Sequence, residues 1–101
     1  MDEKTLLTLL KKTGYPVAYS HFSSPQKPPY IAYLHDDPDN FGADNRVYDS
    51  AANFIVELYT AKHDPAVQKK LEQIFDDNSI YWERTETWIE KEKFFLTAYY
   101  V

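Results

Sequence analysis

One histidine and three aspartates lie within five positions of the chain, in the stretch LHDDPDN at residues 34–40. Imidazole nitrogens and carboxylate oxygens this close together are ligand types of metal sites, and paired carboxylates can also act as acid and base. The same residue types form polar turns, because Asp and Asn bond to nearby backbone and Pro fixes one backbone angle. The ligands available elsewhere in the chain decide between these alternatives.

The closest metal-binding template is the twelve-residue calcium loop. Asp37, Asp39 and Gly42 fit its first, third and sixth positions. Phe41 occupies the fifth position, where a ligand belongs, and Tyr48 stands where the template has a bidentate Glu. Zinc or iron would need a second local ligand, and the other two histidines are distant in sequence. We therefore expect a polar turn at the end of a strand, with no metal and no cofactor.

Other forms of catalysis find little support in the sequence. The absence of cysteine excludes a thiol nucleophile, and a total of two glycines excludes a glycine-rich phosphate loop. Ser20 and His21 are neighbours but lack the motif that surrounds a hydrolase nucleophile. A small enzyme centred on His35 and the adjacent acids remains an alternative. We expect a protein that is not an enzyme and takes no small-molecule ligand.

The overall composition indicates one domain over residues 1–101, without export or membrane insertion. The net charge is −5, and the eleven Lys and Arg residues are scattered, which argues against specific nucleic-acid binding. No apolar run approaches the roughly 20 residues of a membrane span. The N-terminal sequence MDEKTLLTLLKK does not resemble a secretory signal.

Hydrophobic spacing predicts the element order α-β-β-β-α-β-β, typical of an α+β fold in which an antiparallel or mixed sheet carries two helices packed on one face. In the second helix Asp64 is the predicted N-cap and Pro65 the first helical residue. The predicted helices are 2–13 and a second that starts at Pro65 and that Asp76, Asp77 and Asn78 end. The predicted strands are 16–22, 29–35, 46–62 with clear alternation over 53–60, 79–90 and 91–101, with a charged turn at 90–93.

The aromatic content of the chain is high. Nine Tyr, six Phe and two Trp make up 17% of the residues, more than the core of a small domain can bury. We expect several Tyr and Trp side chains to be at least half exposed, and such residues are enriched at protein–protein contacts. The candidate interface residues are Tyr30, Tyr33, Asp37, Asp39, Phe41, Arg46, Tyr48, Tyr81, Trp82 and Trp88.

Four segments carry a resemblance to a known family: PPYIAYL, FGADNRVY leading to FIVELYT, IYWERTETWIE, and FFLTAYY. With the leucine-bearing first helix they cover nearly the whole chain. In this pattern the sequence resembles the small neck and tail-completion proteins (tail-terminator-like or minor capsid proteins) encoded by phages and prophages of Gram-positive bacteria. The family has no short motif that assigns a role to a single residue.

The resemblance implies an α+β structural protein of the virion neck or tail end, present in the host cytoplasm during assembly. It also implies a hexameric ring that terminates the tail tube and joins it to the head connector, with no enzymatic activity and no cofactor. The proline-rich loop at 23–29 and the acidic segment at 36–50 would reach neighbouring subunits. The alternative is a small protein-binding module, an immunity or regulatory partner, that uses the same aromatic surface.

Overall fold

The structure is a computed structural model that describes residues 1–36 and 53–101. Two helices and five strands follow one another in the predicted order, which confirms the α+β class and the mixed sheet. No helix within these ranges is long and apolar enough to cross a membrane. The elements are α1 (Glu3–Lys11), β1 (Val17–Tyr19), β2 (Tyr30–His35), β3 (Phe54–Thr60), α2 (Pro65–Asp77), β4 (Glu83–Ile89) and β5 (Phe94–Tyr100).

The strands form one sheet in the order β1-β2-β3-β5-β4. The short strand β1 runs parallel to β2, and the other three neighbouring pairs are antiparallel. The pairs Tyr33 with Val56 and Val56 with Tyr99 fix the register through the centre of the sheet. Because paired residues project to the same side, this register decides which side chains the helices cover.

Helix α1 begins where a carboxylate can cap it. The side chain of Asp2 accepts a hydrogen bond from the backbone N–H of Thr5 at 2.8 Å, and that bond lowers the pKa of Asp2. The helix ends at Lys11, and Gly14 follows with a φ of +86°, a left-handed conformation that suits glycine. It is therefore shorter at both ends than the predicted 2–13.

Helix α2 follows its local sequence signals. Asp64 caps it by accepting a hydrogen bond from the N–H of Val67 at 3.3 Å, and Pro65 is the first helical residue, as predicted. Leu71 and Phe75 are completely buried. Gln68 lies one turn before them on the same stripe and is also buried, which makes it a polar residue in a core position.

Both helices pack on one face of the sheet, so the core is a single layer between helices and strands. The centre of this core contains Leu6 and Leu10 from α1 together with Leu71 and Phe75 from α2, and their burial stabilises the fold. The buried residues of this core are Leu6, Leu10, Ile31, Tyr33, Phe54, Val56, Leu58, Leu71, Phe75 and Tyr99.

All five strands are shorter than predicted, and β1 and β4 show the backbone reason. β1 ends at Tyr19 because Ser20 adopts a φ of 69°, which breaks the extended backbone. Ser79 likewise has a φ of 57°, so β4 starts at Glu83 instead of near residue 79. Trp82 precedes the strand, and its ring packs edge-on against Tyr99 at 5.6 Å between ring centres.

We expect Leu71→Ala to lower the free energy of unfolding by about 2–5 kcal/mol, because the substitution leaves a cavity under α2. Urea denaturation followed by circular dichroism measures this loss. Lys69→Ala, two positions earlier on the exposed side of the same helix, is the matched control and should change stability by less than about 0.5 kcal/mol. Equal losses in the two variants would contradict the burial of α2 described above.

Candidate interaction surface

Neither helix of residues 1–36 and 53–101 covers the second face of the sheet. Its side chains form rows across the strands: Leu34, Ile55 and Tyr100 in one row, and Tyr30, Tyr59 and Leu96 in another. Most of these side chains are half-buried, and Tyr100 is 39% exposed. We call this surface the open face; its apolar members are Tyr30, Ala32, Leu34, Ile55, Tyr59, Ile89, Phe94, Leu96, Ala98 and Tyr100.

An aromatic cluster occupies one end of the open face. The rings of Tyr30 and Tyr59 stack with centres 4.9 Å apart, and Phe22 and Phe94 meet Tyr30 edge-on at 5.4 and 6.1 Å. The loop at residues 20–26 folds over this cluster and leaves a cleft of about 400 Å³, which Glu92 also lines. The cleft presents flat aromatic surface beside a carboxylate.

The charge on the open face is negative. Glu57 lies between Ala32 and Ala98 in the central row, and Glu83 pairs with Tyr100 at the sheet edge. The five described strands project no Lys or Arg from this face. Burial and then the charge of Glu92 raise the pKa of Tyr30, and burial and the charge of Glu57 raise the pKa of Tyr59. The geometry agrees, since the Tyr59 hydroxyl donates to Oε1 of Glu57 at 3.1 Å and Glu92 lines the cleft with both rings.

A polar network lies on the opposite face, between α2 and the last two strands. The side-chain amide of Gln68 donates to Oε2 of Glu86 and to Oγ1 of Thr97, at 2.9 Å each. Oε2 of Glu72 accepts from the hydroxyl of Tyr99 at 2.7 Å and from Arg84. Burial and the bond to Glu72 raise the pKa of Tyr99.

The network fixes the position of α2. Arg84 Nε also lies 3.6 Å from Oε2 of Glu86. Arg84 thus links the two carboxylates that accept hydrogen bonds in this network, those of Glu72 and Glu86. Gln68 is 3% exposed and Thr97 is completely buried, so these polar groups require partners inside the protein. Sequence analysis missed this cluster, although Gln68 at helical spacing from Leu71 and Phe75 marks a polar residue on the core side.

The first three residues of LHDDPDN separate in the structure. The His35 ring lies on the helix side, with Nε2 3.7 Å from Oε1 of Glu3, and it packs against the ring of Phe54. Asp36 follows the strand, and its N–H donates to the carbonyl of Asn53. Within residues 1–36 and 53–101, no three His, Asp or Glu side chains come close enough to hold a metal ion.

The predicted interface residues do not form one surface. Tyr30 lies on the open face, Trp88 is 45% exposed on the helix side of β4, and Tyr81 is 77% exposed beyond the end of the sheet. Trp82 is partly buried, and its Nε1 donates to Asp76 at 2.9 Å. Asp37, Asp39, Phe41, Arg46 and Tyr48 lie outside the described residues.

The prediction for Tyr33 is wrong. It is 3% exposed, and its ring belongs to the core beneath α1, where its hydroxyl donates to Glu3 at 3.1 Å. The expectation of several half-exposed aromatic residues is also too high, because Tyr81 alone exceeds one half among the described ones. Four of the remaining aromatic side chains, Tyr30, Tyr59, Phe94 and Tyr100, lie on the open face.

These features define an α+β domain with a two-layer core, in which the described helices leave the second sheet face without a helical layer. A scan against protein-family models and searches of curated proteins and solved structures found no match. The functional proposal therefore rests on the open face and on the sequence resemblance.

We expect the Tyr33 hydroxyl to make stability depend on alkaline pH. Burial and the hydrogen bond to Glu3 raise the pKa of Tyr33 from 10.0 to about 12. The stability from neutral Tyr33 is complete below pH 10 and is lost as the pH rises toward about 12, because the unfolded chain deprotonates first. The free energy of unfolding should thus fall less steeply in this window for Tyr33→Phe than for the wild type, as measured by urea titrations. Equal slopes would contradict this assignment.

Proposed function

We propose that this chain is a structural subunit of a phage neck or tail end, which works by assembling with copies of itself and with tail proteins. The open face is the observation that carries the proposal. Apart from the buried Ala32 and Ala98, its apolar and aromatic side chains are half-buried or exposed, as expected of a surface that another protein completes.

The size of the open face fits such a role. Strands about 4.8 Å apart and residues about 3.3 Å apart give this sheet, in which β1 is short and the other strands have six or seven residues, a face of roughly 480 Å². A standard interface buries roughly 800 Å² on each partner, so flanking loops would add to the contact.

The sequence resemblance supports the same proposal. Neck and tail-completion proteins work as rings without chemistry on a substrate, and a ring subunit needs two complementary patches on different sides. The open face supplies one of these patches. In this proposal, the assembled ring closes the tail tube and presents a surface to the head connector.

The cleft beside Tyr30 and Tyr59 favours a second candidate, a small protein-binding module that captures one side chain of a partner. Aromatic clefts of a few hundred cubic ångströms are typical of such capture sites. This candidate needs no self-assembly, so it differs from the first in the mass of the functional complex.

We expect Ile55→Lys and Leu96→Lys to abolish tail completion, because each places a charge in the apolar rows of the open face. Each variant is added to tail tubes assembled from the tube protein of the same phage or prophage. The measurement is the fraction of tubes that have a closed end in electron micrographs. The wild-type chain should close the tubes and bind the connector protein.

Ala61→Lys is the matched control, because it adds the same charge at an exposed position of the loop between β3 and α2. It should close tubes as the wild type does, and circular dichroism should show all three variants folded. A wild-type chain that binds neither tubes nor connector would overturn the proposed function. If Ile55→Lys and Leu96→Lys closed tubes as fully as the wild type, the open face would have no part in the proposed function.

A further inference from the structure

The exposed side of the helix layer carries a group of lysines. Lys11 lies in the last turn of α1 and Lys12 follows it, while Lys69 and Lys70 lie side by side on α2; all four are exposed. The Lys70 ammonium lies 4.9 Å from the centre of the Tyr15 ring, three residues after Lys12. Lys70 on α2 therefore lies beside the segment that follows Lys11 and Lys12, and we call the helix surface that carries these four lysines the lysine side.

The lysine side and the open face are opposite surfaces of the same two-layer domain, and they differ in sign. The open face bears Glu57 in its central row and Glu92 beside its aromatic cleft, and its strands contribute no cation. Lysine side chains suit this face in two ways, since their ammonium groups pair with carboxylates and sit over tyrosine rings. Their aliphatic stems can also cover apolar side chains.

We propose that the open face of one copy of this chain docks on the lysine side of the next copy, head to tail. This inference rests on the proposed function and names the second patch of the ring contact. A symmetric contact between two open faces is disfavoured, because it would bring the Glu57 and Glu92 carboxylates of both copies together without a cation from the sheet. A head-to-tail contact instead repeats around a ring.

Two charge-reversed variants test the contact. One is Glu57→Lys with Glu92→Lys, which makes the open face positive, and the other is Lys69→Glu with Lys70→Glu, which makes the lysine side less positive. Self-association is measured by sedimentation velocity over a concentration series that reaches about 1 mM, where even weak complexes are visible. Circular dichroism of each variant checks that it is folded.

We expect the wild type to self-associate and each variant alone to do so at least about tenfold more weakly, because the first variant sets lysines against lysines and the second sets new carboxylates against Glu57 and Glu92. An equimolar mixture of the two variants should recover association, since the unaltered lysine side of the first variant can bind the unaltered open face of the second. A chain with all four substitutions should recover it too. Lys62→Glu, a charge reversal at an exposed position of the loop between β3 and α2, should leave association unchanged.

Other outcomes overturn the inference in recognisable ways. Loss of association in the open-face variant alone would indicate a symmetric sheet-to-sheet contact, and loss in the lysine variant alone a helix-to-helix contact. Failure of the mixture to recover, or a wild type that stays monomeric throughout, would also refute it. If that wild type still closed tail tubes, the proposed function would stand while this contact failed.

Discussion

Burial of one sheet face, and only one, is the constraint on which the rest of this molecule depends. Two short helices can cover the side that carries Tyr33, Val56 and Tyr99, and all the completely buried large side chains lie in that layer. The same strands are apolar on their other side as well. A two-layer domain therefore leaves a hydrophobic sheet surface that the described parts of the chain cover only in part, through the loop at residues 20–26.

The sequence predicted those elements whose signals are local. The Asp64 and Pro65 pair marked the start of α2, and the alternation of Phe54, Val56 and Leu58 marked the buried side of β3, because both depend on nearest neighbours. The start of β4 was missed because the positive φ at Ser79 has no signal in residue type. Tyr33 was misplaced for a different reason. In β2 both sides are apolar, so spacing alone cannot tell which side the helices will cover.

The open face itself could have been inferred more fully from the strands. The segments FIVELYT and FFLTAYY carry apolar residues at both odd and even positions, which indicates that both sides of these strands favour burial over contact with water. The polar network was harder to foresee, because Glu72, Arg84 and Tyr99 come from three elements. Their meeting depends on the register between β4 and β5 and on the rotation of α2, which are tertiary properties.

The hydrogen bonds from α2 to β4 and β5 have a geometric consequence for any larger assembly. Because Gln68 and Glu72 bind directional partners on the strands, α2 cannot roll or slide on the sheet without breaking several bonds. The angle between the helix surface and the sheet plane is thus a fixed property of the subunit. Where copies stack through these two surfaces, that internal angle becomes the turn from one subunit to the next, so the curvature of the assembly is set inside each monomer.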